Sequence, residues 1–312
     1  MARGCQVTAA ISLAGVAKRY GALAAVRDVS IELGQGQTVA LVGHNGAGKT
    51  TLFKLMLGLT RASAGSIRVL GADPLTPDGQ RSRLEIGYLP ENVVFSSALS
   101  GLETLQFYAM LKRRSRSECA PLLDRVGLGH AARKRVGTYS KGMRQRLGLA
   151  QAVLGAPRLL FLDEPTTGLD PLVRQSFYEL VGELRDRGVT AILSSHALSE
   201  LEARIDQVVI MHKGAVVAAG ALDALRSLAG LPIRMRLSVS SGFHGEVLYA
   251  LAGLASSSSS SGDTIELTCE SRRKMEIIRR ISGVPQILDV AIAEPSLDEI
   301  YASFLHGKDK AA

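Results

Sequence analysis

The stretch TVALVGHNGAGKTTLFKLML, residues 38–57, places an apolar strand pattern, a glycine-rich loop and a helix pattern in direct succession. The loop from Gly43 to Thr50 fits the spacing G-x-x-x-x-G-K-[ST] at every position. Its glycines allow consecutive backbone N–H groups to wrap an anion, and the N-terminus of the following helix adds a partial positive charge. The stretch therefore predicts a phosphate-binding loop at the end of a buried strand.

The polar groups of this loop have separate expected roles. We expect Lys49 to reach the β- and γ-phosphates of a nucleotide and the Thr50 hydroxyl to ligate Mg²⁺. The residues expected to contact the nucleotide belong to the loop and the first helical turn: Gly43, His44, Asn45, Gly46, Ala47, Gly48, Lys49, Thr50 and Thr51.

A second motif, LLFLDE at residues 159–164, ends an apolar strand on two acids. Two adjacent carboxylates at the end of a buried strand are costly without a cation, which indicates that a metal lies beside them. We expect Asp163 to ligate Mg²⁺ and Glu164 to polarise an attacking water. A further strand, TAILSSH, ends at His196. Its spacing from the other motifs favours a γ-phosphate contact over an ordinary strand-end histidine.

The composition indicates a large globular chain whose net positive charge permits an anionic partner. The 312 residues carry 37 Lys+Arg against 29 Asp+Glu, a net charge of +8, and 46% of them are hydrophobic. This balance excludes an acidic disordered chain and permits a nucleic acid, a nucleotide or a membrane surface as partner. Cys5, Cys119 and Cys269 are widely separated in sequence. Neither a disulfide framework nor a thiolate metal site is therefore indicated.

The pattern of strands and helices changes once along the chain. Residues 1–220 alternate strand and helix patterns, which predicts an α/β domain with a mostly helical region at about 92–155. Residues 221–312 predict a small α+β domain. The six serines Ser256 to Ser261 are expected to form a flexible loop inside it. No apolar run reaches the ~18–20 residues of a membrane helix, and we expect a cytoplasmic chain.

A third motif, YSKGMRQR at residues 139–146, opens a helix pattern between the phosphate loop and the acidic pair. It resembles the signature motif of ATP-binding cassette (ABC) ATPases, and the resemblance extends from about Ile11 to Gly220. The resemblance implies a P-loop ABC nucleotide-binding domain, with a RecA-like core and a helical subdomain. It also implies ATP and Mg²⁺ as cofactors, hydrolysis of ATP, and a head-to-tail homodimer that sandwiches two ATP molecules.

The resemblance assigns roles to several further residues. Tyr20 is placed where the family stacks an aromatic ring on adenine, and Asp170 lies in the segment GLD that crosses the dimer interface. Ser140, Lys141 and Gly142 are expected to meet the nucleotide held by the other chain. Lys141 stands where the family commonly has glycine, and it either adds positive charge near the phosphate or points to solvent.

One departure from the family concerns the metal site. The segment YLPEN places Glu91 where the family carries glutamine. A carboxylate there is still able to ligate Mg²⁺ or a water, and it adds negative charge near the γ-phosphate. Glu91 is therefore expected to join Thr50 and Asp163 as a Mg²⁺ ligand.

The spacing of the motifs favours a transporter subunit over other ABC ATPases. Only about 90 residues separate Lys49 from Ser140. ABC chromosome and repair machines instead carry long coiled coils or zinc modules between the two halves of the cassette. The basic clusters Lys112–Arg114, Arg133–Arg135 and Arg272–Lys274 are interpreted as solvated helix faces rather than nucleic-acid contacts. A nucleic-acid-processing ABC ATPase is the remote alternative. The expected partner is an integral membrane permease, with this chain on the cytoplasmic face of the inner membrane.

Three stretches narrow the resemblance further: GHNGAGKTTLFKLMLGL, GYLPENVVF and TYSKGMRQRLGLAQAVLG. They look like the ATPase subunit of the nitrous oxide reductase maturation system (NosF-type). That resemblance implies that the transported substance is copper or a sulfur species. It also implies a periplasmic partner that is reached through the permease. No clustering of His, Cys or Met indicates that this chain binds copper itself. The alternative is an ATPase for export of drugs, lipids or polysaccharide, which shares nearly all these motifs.

The segment from Asn92 to Gly101 matches the region where this family meets a coupling helix of the permease. Its apolar side chains Val93, Val94 and Phe95 suit such a contact, and an ordinary core role is equally compatible with the sequence.

Overall fold

The computed structural model describes residues 9–196 and 198–309, with side chains described as far as residue 305. The chain divides into two compact units, the first ending at Ala219 and the second beginning at Gly220. Among the described residues, no helix is both long and apolar enough to span a bilayer.

The first unit contains nine strands and six α-helices among its described residues, joined by loops and short 3₁₀ turns. The strands are β1 (Ala9–Tyr20), β2 (Leu23–Gly34), β3 (Thr38–Val42), β4 (Ala64–Val69), β5 (Ile86–Leu89), β6 (Leu159–Asp163), β7 (Thr190–Ser195), β8 (Gln207–His212) and β9 (Ala215–Gly220). The helices are α1 (Lys49–Met56), α2 (Pro77–Ser82), α3 (Gly101–Leu111), α4 (Cys119–Arg125), α5 (Lys141–Val153) and α6 (Pro171–Asp186).

A six-stranded sheet in the order β5-β6-β7-β3-β8-β9 forms the centre of this unit. The strands from β5 to β8 in that order pair in parallel. Every residue of β3, β6 and β7 is buried, as expected for parallel strands that are covered on both faces. Because parallel strands end at the same edge of the sheet, the residues that follow these three strands lie close together.

A second sheet, in the order β2-β1-β4, is antiparallel and packs its apolar side chains into the same core. Ile11 and Leu13 of β1 belong to the same core as Phe53 of α1 and Phe161 of β6. The two phenyl rings meet edge to face with centroids 5.4 Å apart, a favoured aromatic geometry. The glycine-rich loop is thus attached to a helix that is packed against both sheets.

Helices α3 to α5 form the helical region of this unit. Helix α3 begins with a capping box, in which the Ser100 hydroxyl accepts from the Glu103 N–H and the Glu103 carboxylate accepts from the Ser100 N–H. These hydrogen bonds lower the pKa of the Glu103 carboxyl. At the other end, the Lys112 ammonium donates to the carbonyl oxygen of Leu154 at 3.1 Å. Lys112 therefore holds the C-terminal end of α5 against α3.

As far as the structure describes it, the second unit contains four strands and four α-helices. They are α7 (Leu222–Ala229), β10 (Ile233–Val239), α8 (His244–Ala250), β11 (Ser257–Ser261), β12 (Thr264–Cys269), α9 (Lys274–Ile281), β13 (Ile287–Ala293) and α10 (Leu297–Asp309). The sheet order β11-β12-β10-β13, with all neighbours antiparallel, gives the ferredoxin-like arrangement β-α-β-β-α-β from β10 to β13.

The expectation of a flexible serine loop is wrong for most of that run. Ser257 to Ser261 form the edge strand β11, which pairs with β12 through the turn at Gly262 and Asp263. Serine has little intrinsic strand preference. The hairpin turn and the ladder of backbone hydrogen bonds to β12 decide the conformation instead.

The partly buried Lys112 makes folding stability depend on pH. Burial lowers the pKa of its ammonium group from 10.5 to about 8. Between these two values the unfolded chain holds a proton that the folded chain has released, so stability rises with pH across this window. We expect the unfolding free energy of the native chain to increase relative to that of Lys112→Met between pH 8 and 10.5. Urea unfolding of both proteins measures this; a difference that does not change with pH would contradict it.

Candidate nucleotide-binding site

The glycine-rich loop leaves β3 at Gly43 and enters α1 at Lys49. Gly46 and Gly48 have φ values of 84° and 104°, in the region that favours glycine. A Cβ atom at Gly48 would lie 2.5 Å from the carbonyl oxygen of Ala25. The backbone therefore takes a course that larger residues do not allow, which exposes the loop N–H groups to the space above it.

A cleft of about 770 Å³ lies beside this loop. Its lining residues are Leu23, Ala24, Ala25, Arg27, His44, Asn45, Gly46, Ala47, Gly48, Lys49, Thr50, Thr51, Glu91, Asp163, Glu164, Thr167, His196 and Lys213. The cleft therefore combines cationic side chains with a cluster of three carboxylates. This charge pattern fits an anionic ligand that carries its own divalent cation.

Lys49 projects into the cleft from the first residue of α1. It is only 7% exposed, and its ammonium donates hydrogen bonds to the carbonyl oxygens of Gly43 and His44. The Glu164 carboxylate lies 3.9 Å away. Burial lowers the pKa of Lys49, while the charges of Glu164, Asp163 and Glu91 oppose that shift. The lysine is thus held at the base of the loop, pointing at the place where phosphates would lie.

Asp163 ends β6 and is only 2% exposed. Its Oδ2 accepts a hydrogen bond from the Thr50 hydroxyl at 3.0 Å, and its Oδ1 accepts from the Ser194 hydroxyl at 2.6 Å. Glu91 lies on the same cleft. A hydroxyl and two carboxylates are the hard oxygen donors that Mg²⁺ prefers. The residues present therefore fit a Mg²⁺ ion at this position.

Glu164 has a φ of 47°, a left-handed conformation that is uncommon outside glycine. Its N–H donates to the Ser194 hydroxyl at 2.9 Å. One carboxylate oxygen lies 2.7 Å from Nδ1 of His196, and the other faces Lys49. The side chain of His196 is 67% exposed, whereas that of Glu164 is 11% exposed. The histidine thus lies at the mouth of the cleft and orients the carboxylate behind it.

The structure places the signature residues apart from this cleft. Ser140 caps the N-terminus of α5, where its hydroxyl accepts from the Met143 N–H at 3.1 Å. Neither Ser140 nor Lys141 nor Gly142 lines the cleft. A Cβ atom at Gly168 would lie 3.1 Å from the Lys141 Nζ, so this lysine side chain passes over the turn that follows the acidic pair.

Asp170 and Tyr20 are also placed outside the cleft lining. The Asp170 carboxylate caps the N-terminus of α6 by accepting from the Val173 N–H at 3.0 Å. Tyr20 is 47% exposed at the end of β1, with the Lys18 ammonium 4.8 Å from its ring centroid. Its ring is therefore available for stacking, but it does not close the cleft in this structure.

Several residues of the cleft have no motif to mark them in the sequence. Arg27 of β2, Thr167 and Lys213 line the cleft, and the Ser194 hydroxyl contacts both Asp163 and Glu164. A polar residue inside the apolar strand TAILSSH is a signal that points to Ser194. Arg27 and Lys213 resemble ordinary surface cations in sequence, because only the tertiary structure brings them to the loop.

Known proteins with similar sequences cover most of the chain. Residues 26–167 match the family model described as ABC transporter. The doxorubicin resistance ATP-binding protein DrrA of Mycobacterium tuberculosis is 33% identical over 307 residues, which cover 94% of this chain and 92% of that protein. The daunorubicin resistance ATP-binding protein DrrA3 of Streptomyces coeruleorubidus is 33% identical over 315 residues, covering 95% of each chain.

A solved structure gives the same result for the fold. It is described as the ATP binding subunit of an ABC transporter, and it superposes with a TM-score of 0.66 at 34% identity, covering 71% of this chain and 93% of that one. The predicted P-loop ABC ATPase fold is therefore confirmed. Full-length relatives, the matching family model and the nucleotide loop agree: the chain belongs to the ABC transporter family, as an ATP-binding subunit with ATPase activity.

Proposed function

We propose that this chain is the ATPase subunit of an exporter for drug-like small molecules. The observation that carries the proposal is the length of the similarity to the doxorubicin and daunorubicin resistance proteins. It covers 94% and 95% of this chain, and it therefore continues well beyond the nucleotide-binding unit into the ferredoxin-like unit. A shared cassette alone would not require a shared second unit.

The NosF-type reading gains no support from these relatives. Their names refer to drug resistance and contain no reference to copper or nitrous oxide reductase. The three stretches that suggested the NosF-type resemblance belong to the ATP-binding cassette. ABC transporters that carry many different substances share this cassette. The relatives favour the exporter alternative, and we propose neither a copper-related load nor a periplasmic partner.

We assign separate roles in ATP binding and hydrolysis to the residues of the cleft. Lys49 and the loop N–H groups bind the phosphates, and Thr50, Asp163 and Glu91 would hold Mg²⁺, which would supply positive charge to the phosphate oxygens. Glu164 orients and deprotonates the attacking water, and His196 fixes the Glu164 carboxylate through the 2.7 Å hydrogen bond. Tyr20, exposed at the end of β1, stacks on the adenine ring.

Two chains are needed to complete this site. Ser140, Lys141 and Gly142 lie outside the cleft of their own chain, although Ser140 starts a 13-residue helix whose N-terminus suits an anion. We propose a head-to-tail homodimer in which these residues meet the nucleotide of the other chain, with Asp170 near the interface. In this dimer, Lys141 would contact the turn that follows Glu164 of its own chain as well as the nucleotide of the other chain, because its side chain passes over Gly168.

An exposed apolar patch on α3 and on the loop before it suits a membrane permease. We define this patch by Val94, Phe107, Met110 and Leu111, which are 85%, 47%, 55% and 54% exposed. Phe107, Met110 and Leu111 lie on the outward side of α3. Val93 and Phe95 instead pack inward, Val93 near Gly148 and Phe95 against Tyr108. Val94 is three residues from Glu91, which lines the cleft, so the proposed permease contact and the cleft share one loop.

The first prediction concerns the catalytic carboxylate. Glu164→Gln keeps the shape of the side chain but removes the base. We expect ATP turnover to fall by at least about a hundredfold, while ATP binding persists and the variant accumulates as a closed dimer. Phosphate release and size-exclusion chromatography with ATP measure these two effects.

Lys49→Ala is the matched control for that prediction. It removes the cation from the phosphate loop, so nucleotide affinity itself is lost and no dimer accumulates. Normal turnover in Glu164→Gln would contradict the assigned base. Unchanged nucleotide affinity in Lys49→Ala would contradict the assigned phosphate contact.

The second prediction concerns the apolar patch. Phe107→Ser combined with Met110→Ser removes apolar surface that a permease would bury. We expect the double variant to hydrolyse ATP normally in isolation but to be lost from membranes that contain the permease. Co-purification with the permease measures the association. Substitution of Leu228, which is also exposed at 71% but lies on α7, to Ser is the control. Equal retention of both proteins would contradict the docking role.

The third prediction tests which substance is transported. Deletion of the gene is expected to raise accumulation of doxorubicin in the host and to lower the concentration that inhibits growth. The wild-type gene restores efflux, whereas the Glu164→Gln gene does not. Unchanged drug accumulation, together with loss of copper from nitrous oxide reductase, would reject the exporter and reinstate the maturation role.

A further inference from the structure

The hydroxyl of Ser194 joins the two adjacent acids of the site. Ser194 is 0% exposed on β7 and lies opposite Asp163 in the parallel register of β6 and β7. Its hydroxyl donates to Oδ1 of Asp163 at 2.6 Å and accepts from the N–H of Glu164 at 2.9 Å. One buried hydroxyl thus uses both its donor and an acceptor lone pair on neighbouring residues of the site.

The donated hydrogen bond fixes the orientation of the Asp163 carboxylate. Oδ2 is held by Thr50 at 3.0 Å and Oδ1 by Ser194 at 2.6 Å. With both oxygens held, rotation of the carboxylate plane breaks at least one hydrogen bond. A hydrogen bond to an ionised carboxylate in a buried site is also stronger than one between neutral groups. The metal-binding oxygen is therefore presented at one fixed position.

The accepted hydrogen bond fixes the peptide that leads into Glu164. The φ of 47° at Glu164 lies in the left-handed region, which is unfavourable for a residue with a side chain. The contact between the Glu164 N–H and Ser194 offsets part of this cost. Without it, the peptide is free to relax, and the Glu164 carboxylate loses its orientation toward Lys49 and His196.

We propose that Ser194 is a positioning residue for ATP hydrolysis, which sets the Mg²⁺-binding oxygen of Asp163 and the backbone of Glu164 through a single hydroxyl. The proposal rests on the roles given above to Asp163 and Glu164. It predicts a separation of effects: loss of the hydroxyl weakens the use of Mg²⁺ and the rate of turnover, whereas binding of nucleotide without metal depends on Lys49 and the loop and is preserved.

Ser194→Ala in the full chain tests this. We expect the Mg²⁺ concentration for half-maximal binding of a fluorescent, non-hydrolysable ATP analogue to rise about tenfold, and kcat to fall by about tenfold or more. Affinity for the same analogue in EDTA is expected to stay within about twofold of wild type. Ser194→Cys keeps the side-chain shape with a weaker donor. It is expected to show the same directions with smaller changes, and it serves if the alanine variant does not fold.

Thr190→Val is the matched control. Thr190 lies on the same strand, is 1% exposed, and its hydroxyl accepts from the Gly36 N–H at 2.9 Å, away from the cleft. It loses a buried hydroxyl and a comparable amount of stability, but its Mg²⁺ dependence and kcat are expected to match wild type. If both variants lose activity in proportion to their loss of melting temperature, Ser194 is merely structural and the proposal is wrong.

The outcomes also separate this inference from the proposed function. Wild-type Mg²⁺ dependence and kcat in Ser194→Ala, with Glu164→Gln inactive, would overturn the role of Ser194 and leave the site intact. Normal turnover in Glu164→Gln would overturn the base and this inference together.

Discussion

The carboxylate of Asp163 is the group on which the rest of the site depends. Its two oxygens accept from hydroxyls on α1 and β7, so that three elements are held together at one buried negative charge. A buried carboxylate without such partners would be costly. The arrangement is possible only because β6 and β7 are parallel neighbours and β3, which leads into the phosphate loop, lies beside β7. The sheet order therefore serves the chemistry directly.

The cleft of a single chain lacks the signature residues, which we propose a second chain supplies. Lys49 lies among Glu164, Asp163 and Glu91, so one ammonium group faces three carboxylates, an excess of negative charge that a divalent cation would offset. The signature residues lie elsewhere on the chain, at the start of α5. This separation supports the proposed head-to-tail dimer. In that dimer, one chain would bind the charged nucleotide through its loop and the other would cover it with a helix N-terminus.

The two units carry different kinds of information about the protein. The first unit explains ATP binding and hydrolysis, which ABC transporters of many loads share. The second unit is ferredoxin-like, with its own core formed by one face of a four-stranded sheet and helices α8 and α9. The similarity to drug-resistance ATPases extends into this unit, and this extent supports the proposed export function. The fold of the unit alone would not support that proposal, because the same arrangement occurs in proteins of many functions.

The sequence by itself determined the elements whose chemistry is local. The phosphate loop, Asp163 and Glu164 follow from glycines, a lysine and two acids at fixed spacing beside apolar strands, and the C-terminal strands follow from alternation. It did not reveal the strand formed by Ser257–Ser261, whose conformation depends on pairing with β12. Nor did it reveal that Arg27 and Lys213 line the cleft, that Ser194 contacts both acids, or that Val93 and Phe95 pack inward. These depend on contacts between residues far apart in sequence, because sheet order and register, rather than local preference, decide which side chains meet.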